Sequence, residues 1–145
     1  MNFIAKVFDE LTTAELYELL KARAKIFVEE QNIRYVDEDD VDYRSLHCFL
    51  WENGTVRAYL RAFTLDEGEG IAKVGRVLSI VHGKGLGTQL MRASIPEIKK
   101  RLNCSKIVID AQSHAEEFYK FLGFVTVSDE FMEEGIPHVR MELDI

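Results

Sequence analysis

The chain has 145 residues, 47% hydrophobic and 30% charged, a balance that suits one soluble domain over residues 1–145 with a sizeable core. Its formal charge of -7 argues against non-specific binding to nucleic acid, which depends on clustered Lys and Arg, and suits a cationic partner better. No run approaches the roughly 18 apolar residues of a membrane span, and the start Met1-Asn2-Phe3-Ile4-Ala5-Lys6 lacks the apolar stretch of a secretion signal, so the expected setting is cytoplasmic with no membrane partner.

Taken in chain order, Phe3, Ala5 and Val7 alternate with Ile4, Lys6 and Phe8, which predicts a first strand of mixed burial. Thr12 and Glu15 have capping-box spacing, and Leu16, Leu19, Leu20, Arg23, Ile26 and Phe27 recur at helical intervals, predicting a helix from about Thr13 to Glu30. From Asn32 to Ser45 no period is visible, and the segment reads as a long loop with at most a helical turn. Much of the acidity lies here, in Asp37-Glu38-Asp39-Asp40 with Asp42. The run lacks the Gly of a calcium-binding loop and is expected to be a solvated acidic turn, or, if functional, an attractor of a positively charged amine.

His47–Glu52 and Thr55–Thr64 flank Asn53-Gly54, a strong hairpin signal because both residue types tolerate positive φ. After a turn at Asp66–Gly70, Ile71–Val81 is a fourth strand. Leu86, Leu90, Met91, Ile95, Ile98 and Leu102 mark the buried stripe of a long helix in which Pro96 predicts a kink or a restart. Ser105–Gln112, with Ile107-Val108-Ile109, reads as a buried central strand. A short helix from about Ala115 to Leu122, closed by Gly123, and strands at Phe124–Val127 and His138–Leu143 complete the chain. A helix between the fourth and fifth strands makes those two parallel in an otherwise antiparallel sheet flanked by helices, an α/β (α+β) arrangement. Cys48 and Cys104 are too few for a zinc cluster and read as reduced core thiols, and no close histidine spacing suggests another metal site.

The segment Ser79-Ile80-Val81-His82-Gly83-Lys84-Gly85-Leu86-Gly87-Thr88 runs from a strand through closely spaced glycines into a helix, the build of an anion cradle. A nucleotide-triphosphatase loop is excluded because Gly85, not Ser or Thr, follows Lys84, and a dinucleotide fingerprint fits poorly because the spacing is G-x-G-x-G. The loop resembles instead the Q/R-x-x-G-x-G/A pyrophosphate loop of the GCN5-related N-acetyltransferases (GNAT), with His82 in place of the usual Gln or Arg. Glu117-Phe118-Tyr119-Lys120-Phe121-Leu122-Gly123-Phe124, with Ala115 in register, is similar to a second segment of that family. The ElaA-like subgroup is the nearest resemblance, through Arg23–Asn32, Gly75-Arg76-Val77, Ala111-Gln112-Ser113-His114 and Glu134-Gly135-Ile136-Pro137-His138, although the link from Arg76 to the glycine loop is about two or three residues shorter than the family spacing that the resemblance implies for such a loop.

The resemblance implies the GNAT acyl-CoA N-acyltransferase fold, with the fourth and fifth strands splayed around acetyl-coenzyme A. Leu78, Ser79 and Ile80 would meet pantetheine, and His82, Gly83, Lys84, Gly85, Leu86, Gly87 and Thr88 would hold the pyrophosphate. Tyr119 matches the position that protonates the departing thiolate, and a phenol remains a neutral proton donor at pH 7. Glu29, Glu30 and His114 are the leading candidates for the base, with His47 and His138 as further imidazoles, while Arg76 could pair with an acidic neighbour or bind a substrate carboxylate. The implied function is acetyl transfer to a primary amine of a small molecule, peptide or protein by direct attack in a ternary complex. The alternative is a catalytically weak acyl-CoA-binding or regulatory module. A homodimer is compatible with such a sheet.

Overall fold

A computed structural model describes all residues from Met1 to Ile145. Eight strands form one sheet in the order β1-β2-β3-β4-β5-β8-β6, with β7 paired to β8. Strands β1 (Asn2–Val7), β2 (Leu46–Glu52), β3 (Thr55–Asp66) and β4 (Ile71–Ser79) form an antiparallel half; β5 (Lys106–Gln112), β6 (Val125–Thr126), β7 (Phe131–Glu133) and β8 (Ile136–Asp144) form the other. The halves meet where β4 runs parallel to β5, and pairing there stops at Val74↔Ile109. Beyond that point the two strands diverge.

Helix α1 (Thr13–Arg23) covers one face of the sheet, packing Leu19 and Ala22 against Phe49, Val56 and Tyr59. Helix α2 (Leu86–Leu102) covers the other, where Leu90, Met91 and Ile98 meet Leu60, Ala62 and Ile107. Burial on both faces explains why β2 and β3 read as nearly continuous apolar runs. Helix α3 (Glu116–Phe121) follows a single 3₁₀ turn at Ser113–Ala115. No helix is long and apolar enough to cross a membrane.

Most expected elements form within a few residues of their predicted bounds. Thr12 accepts from the Glu15 amide at 3.1 Å while the Glu15 carboxylate accepts from the Thr12 amide at 2.8 Å, completing the capping box. Asn53 and Gly54 both have positive φ, +52° and +74°, and close the β2–β3 hairpin. Pro96 neither ends nor restarts α2, which continues for six residues beyond it to Leu102. Its missing N–H leaves the Arg92 carbonyl without its helical partner, and both residues are exposed, so that carbonyl is open to solvent.

Three expectations are corrected. The helix predicted to run from Thr13 to Glu30 is α-helical only to Arg23 and widens to a π-helix over Ala24–Glu30, with the Gln31 amide reaching back five residues to the Ile26 carbonyl. A strand at Phe131–Glu133 was not anticipated, because three residues show no usable alternation; Glu134 (φ +51°) and Gly135 (φ +72°) turn it into β8. The acidic run is solvated only in part: Asp37 and Asp42 are buried, while Glu38, Asp39 and Asp40 are exposed.

Candidate functional site

The acidic segment folds onto three arginines distant in sequence. Arg23, fully buried, donates from Nε to Asp37 Oδ2 at 2.8 Å, from one terminal nitrogen to Asp42 Oδ1 at 2.7 Å and from the other to the Asp37 carbonyl at 2.9 Å. Arg61 forks onto both Asp39 oxygens at 2.7 and 2.6 Å and reaches Asp42 at 3.0 Å, and Arg76 donates to Asp37 at 2.9 Å. Arg76 is therefore committed to acidic neighbours. Its backbone is left-handed (φ +53°) at a bulge, where two β4 residues, Arg76 and Val77, stand opposite Leu60 alone. Three cations balance three of the run's five carboxylates, and Glu38 and Asp40, both exposed, have no arginine partner. Hydrogen bonds from Arg61 hold the Asp39 carboxyl down at about 2, against an ordinary value of 3.8. For Asp42, burial opposes ionisation, and the bonds from Arg23 and Arg61 outweigh it to bring the carboxyl below its ordinary value.

This network gives a long loop a fixed shape. Tyr35 donates to Asp37 at 3.2 Å and lies 4.8 Å beneath the Arg76 guanidinium, and burial pushes its hydroxyl up to about 12. His47 is sealed behind the network: Nε2–H donates to the Asp42 carbonyl at 2.9 Å and Tyr59 donates to Nδ1 at 2.7 Å. With both nitrogens occupied, and its charged form disfavoured by burial, His47 is a structural imidazole.

The ordered loop walls one side of a cleft of about 500 Å³ that opens where β4 and β5 part. Tyr35, Asp39, Arg76, Gln112, His138 and Tyr119 all line it. Gln112, at the end of β5, donates to Gln31, at the end of the π-helix, at 3.0 Å, which joins the walls. A second cleft of about 420 Å³ lies against the glycine loop, lined by Leu78, Ser79 and residues 81–88. Val77, Ala115 and Tyr119 line both clefts, so the two spaces adjoin at these residues.

Gly83 (φ +74°) and Gly85 (φ +72°) turn the chain into α2, Gly85 being its N-cap. The ladder of α2 begins with the Gln89 amide on the Gly85 carbonyl at 3.1 Å, so the amides of Leu86, Gly87 and Thr88 precede it without intrahelical partners. Gly87 has another use: a Cβ there would lie 3.2 Å from the Phe118 ring, so its absence lets α2 pack against α3. Ser79 donates to the Val81 carbonyl at 2.8 Å and the Ile80 amide to the Arg57 carbonyl at 2.9 Å, shaping the approach to the loop. Three adjacent free amides at a positive helix end, beside Lys84, fit a pyrophosphate, and the gap beside β4 leaves room for an extended thioester arm.

The remaining site expectations fall at different places. Tyr119 is buried between Phe118 and Phe124, and its hydroxyl makes no hydrogen bond within the chain yet is not sealed from solvent, so it opens on the clefts. Burial raises its pKa, favouring the protonated phenol. His82, exposed, donates to Glu30 at 2.9 Å, tying the glycine loop to the end of the π-helix. Glu29 is exposed and lines neither cleft, whereas His114 is exposed at the cleft edge with no hydrogen-bond partner. Sequence reasoning missed Asp39, Gln31 and the β7–β8 hairpin as parts of the cleft; Gly135, in the polar break between Phe131-Met132 and Ile136, was the signal for the last.

A family model described as an acetyltransferase (GNAT) domain matches residues 52–145. Protein ElaA of Escherichia coli (strain K12) is 32% identical over 140 residues, covering 94% of this chain and 92% of ElaA. Among solved structures, an acyl-CoA N-acyltransferase from Pseudomonas aeruginosa superposes with a TM-score of 0.90 at 33% identity, covering 98% of this chain and 99% of that one. Escherichia coli ElaA gives 0.89 at 30% identity, covering 97% of each chain. An aminoglycoside 6'-N-acetyltransferase complexed with coenzyme A has the same fold, with a TM-score of 0.74 at 13% identity, covering 97% of this chain and 96% of that one.

Proposed function

The chain belongs to the GNAT acetyltransferase family and is ElaA-like, and from that premise we propose that it transfers an acetyl group from acetyl-coenzyme A to a primary amine by direct attack within a ternary complex. Family and fold support acyl transfer from an acyl-CoA donor at the coarser level. The observation that carries the finer reading is the meeting of two clefts at Tyr119, one against the glycine loop and one against the loop from Asn32 to Ser45, which is the acceptor loop in this reading.

The donor supplies an activated thioester carbonyl. On the protein side, the amides of Leu86, Gly87 and Thr88, with Lys84 and the loop from His82 to Gly85, bind and orient the pyrophosphate. The unpaired edge of β4 from Gly75 to Ser79, continuing to Ile80, aligns the pantetheine arm through backbone groups, with Leu78 packed into the core behind it. Tyr119 holds a proton at its hydroxyl, beside the junction where the thiolate departs, and its apolar surroundings keep that proton in place at neutral pH. Gln31, Gln112 and the Arg76-bound acceptor loop restrict the approach of the amine.

The test has two parts. Calorimetry with acetyl-CoA should give saturable binding, and thiol release with benzylamine, cadaverine and Nα-acetyl-lysine amide as probes should show turnover that Tyr119→Phe lowers ~100-fold, the lower end of general-acid effects. Because the phenol has no partner to lose, the melting temperature should hold. Undiminished turnover in Y119F would remove the acid role, and binding without any turnover would favour a binding module.

A further inference from the structure

Three imidazoles and two carboxylates compete for the role of base, and their surroundings separate them. Glu29 lies outside the cleft, Glu30 is held by His82, and both nitrogens of His47 are occupied in the core. His114 reaches the cleft edge, but nothing orients its ring. His138 alone is both oriented and turned toward the cleft. It lies on β8 opposite Gln112, 6% exposed, with its ring stacked on Phe131 at 6.0 Å between centroids. Its Nδ1 is 2.7 Å from the Ile136 carbonyl, which can only accept, so Nδ1 carries the hydrogen and Nε2 of the neutral ring keeps its lone pair. Glu133 Oε2, from β7, stands 3.5 Å from Nε2, a counter-charge for the ring once it gains a proton. A buried imidazole with one nitrogen tied to an acceptor and the other lining a cleft, next to a carboxylate, has the geometry of a general base and its stabiliser.

We infer that His138 is the catalytic base for the acceptor amine and that Glu133 is its positioning residue. The inference rests on the acetyl-transfer reading above. As the amine nitrogen forms its bond to the thioester carbonyl carbon, the nitrogen's surplus proton passes to His138 Nε2. The C–S bond breaks with its electron pair on sulfur, which takes the Tyr119 hydroxyl proton. One proton is gained at His138 and one given by Tyr119, so release from the imidazolium to solvent and uptake by the phenolate restore the site. The charged groups around His138 are Glu133 on β7, the Asp110–Arg140–Lys73 cluster two pairs along the sheet, and His114, Glu134, Asp39, Arg61 and Arg76 on the same cleft.

Nitrogen-15 chemical shifts of the assigned His138 ring in the free protein give a readout independent of turnover: the neutral ring should be the Nδ1–H tautomer, and an Nε2–H tautomer would overturn the assignment. In thiol release with the same three amine probes, His138→Gln should lower kcat/KM ~100-fold or more and abolish the acid limb of the pH–rate profile, with acetyl-CoA affinity by calorimetry unchanged. Glu133→Gln, at an exposed turn-proximal position that does not endanger folding, should lower kcat ~10-fold with little change in KM. Retention of the acid limb in H138Q with its loss in His114→Gln would transfer the role to His114. If the wild-type protein releases no thiol with any probe while binding acetyl-CoA, the amine-transfer reading fails and the base assignment falls with it; turnover unchanged in H138Q overturns the base assignment alone.

Discussion

Replacing Arg23 by Met tests the charge network most directly. Methionine fills much of the volume of the arginine stem and removes only the guanidinium, leaving Asp37 and Asp42 buried without one of their cations. Breaking a buried pair by deleting one partner costs ~3–5 kcal/mol. Here each carboxylate keeps a second arginine, Arg76 at 2.9 Å from Asp37 and Arg61 at 3.0 Å from Asp42, so the low end, about 3 kcal/mol, applies. With an unfolding entropy of about 2.1 cal/mol/K per residue, a chain of 145 residues should then melt about 10 °C lower. Thermal unfolding followed by circular dichroism at pH 7, with urea titration as a second measure, reads this out. A fall of less than about 3 °C, equivalent to under about 1 kcal/mol, would mean that the network is hydrated like a surface ion pair and that the loop is shaped by something else.

The network also predicts an acid limb of stability. Asp39 has its native carboxyl near 2, below the ordinary 3.8, so its stabilisation is present above the unfolded value and is lost as pH falls from about 4 toward 2; Asp39→Asn should flatten that limb in urea titrations, and an unchanged limb would place the loss elsewhere. Gly85→Ala, forced into a left-handed cap at φ +72°, should lower stability by about 1 kcal/mol and weaken acetyl-CoA binding in calorimetry, and wild-type values for both would show that the cap relaxes freely. Burial holds the Cys48 thiol up at about 12 and raises that of Cys104, so a disulfide-exchange reagent at pH 8 should find no reactive thiol in the folded protein and two in denaturant; rapid labelling of the native state would contradict the packing around them.

What the sequence revealed depended on how local the cause was. Asn53-Gly54, the capping box at Thr12 and the left-handed Gly123 are decided by neighbours within a few residues, and each forms as read. The run Ile107-Val108-Ile109 reports burial on both faces without naming the partner strands, yet that suffices for a central strand. The acidic run was misread because its partners, Arg23, Arg61 and Arg76, lie 14 to 39 residues away, and composition carries no record of a pairing made only on folding. The π-helix is invisible for a similar reason: the widened turn keeps Ile26 and Phe27 buried together, as an α-helix would. At the candidate site, motif position located the glycine loop and Tyr119, whereas the surroundings of each His and Glu, which decide what its side chain is free to do, became legible only in three dimensions.

The divergence of β4 from β5 bears on cooperativity. Only four residue pairs join the two halves of the sheet by backbone hydrogen bonding, α1 and α2 pack on the first half, and α3 packs on the second. The halves are therefore poised to exchange their amide hydrogens with different protection, with the shorter, C-terminal half opening first. A ligand lodged in the gap touches both sides, and its binding free energy would then appear as a narrowing of that difference, with amides on β4 and β5 slowing together.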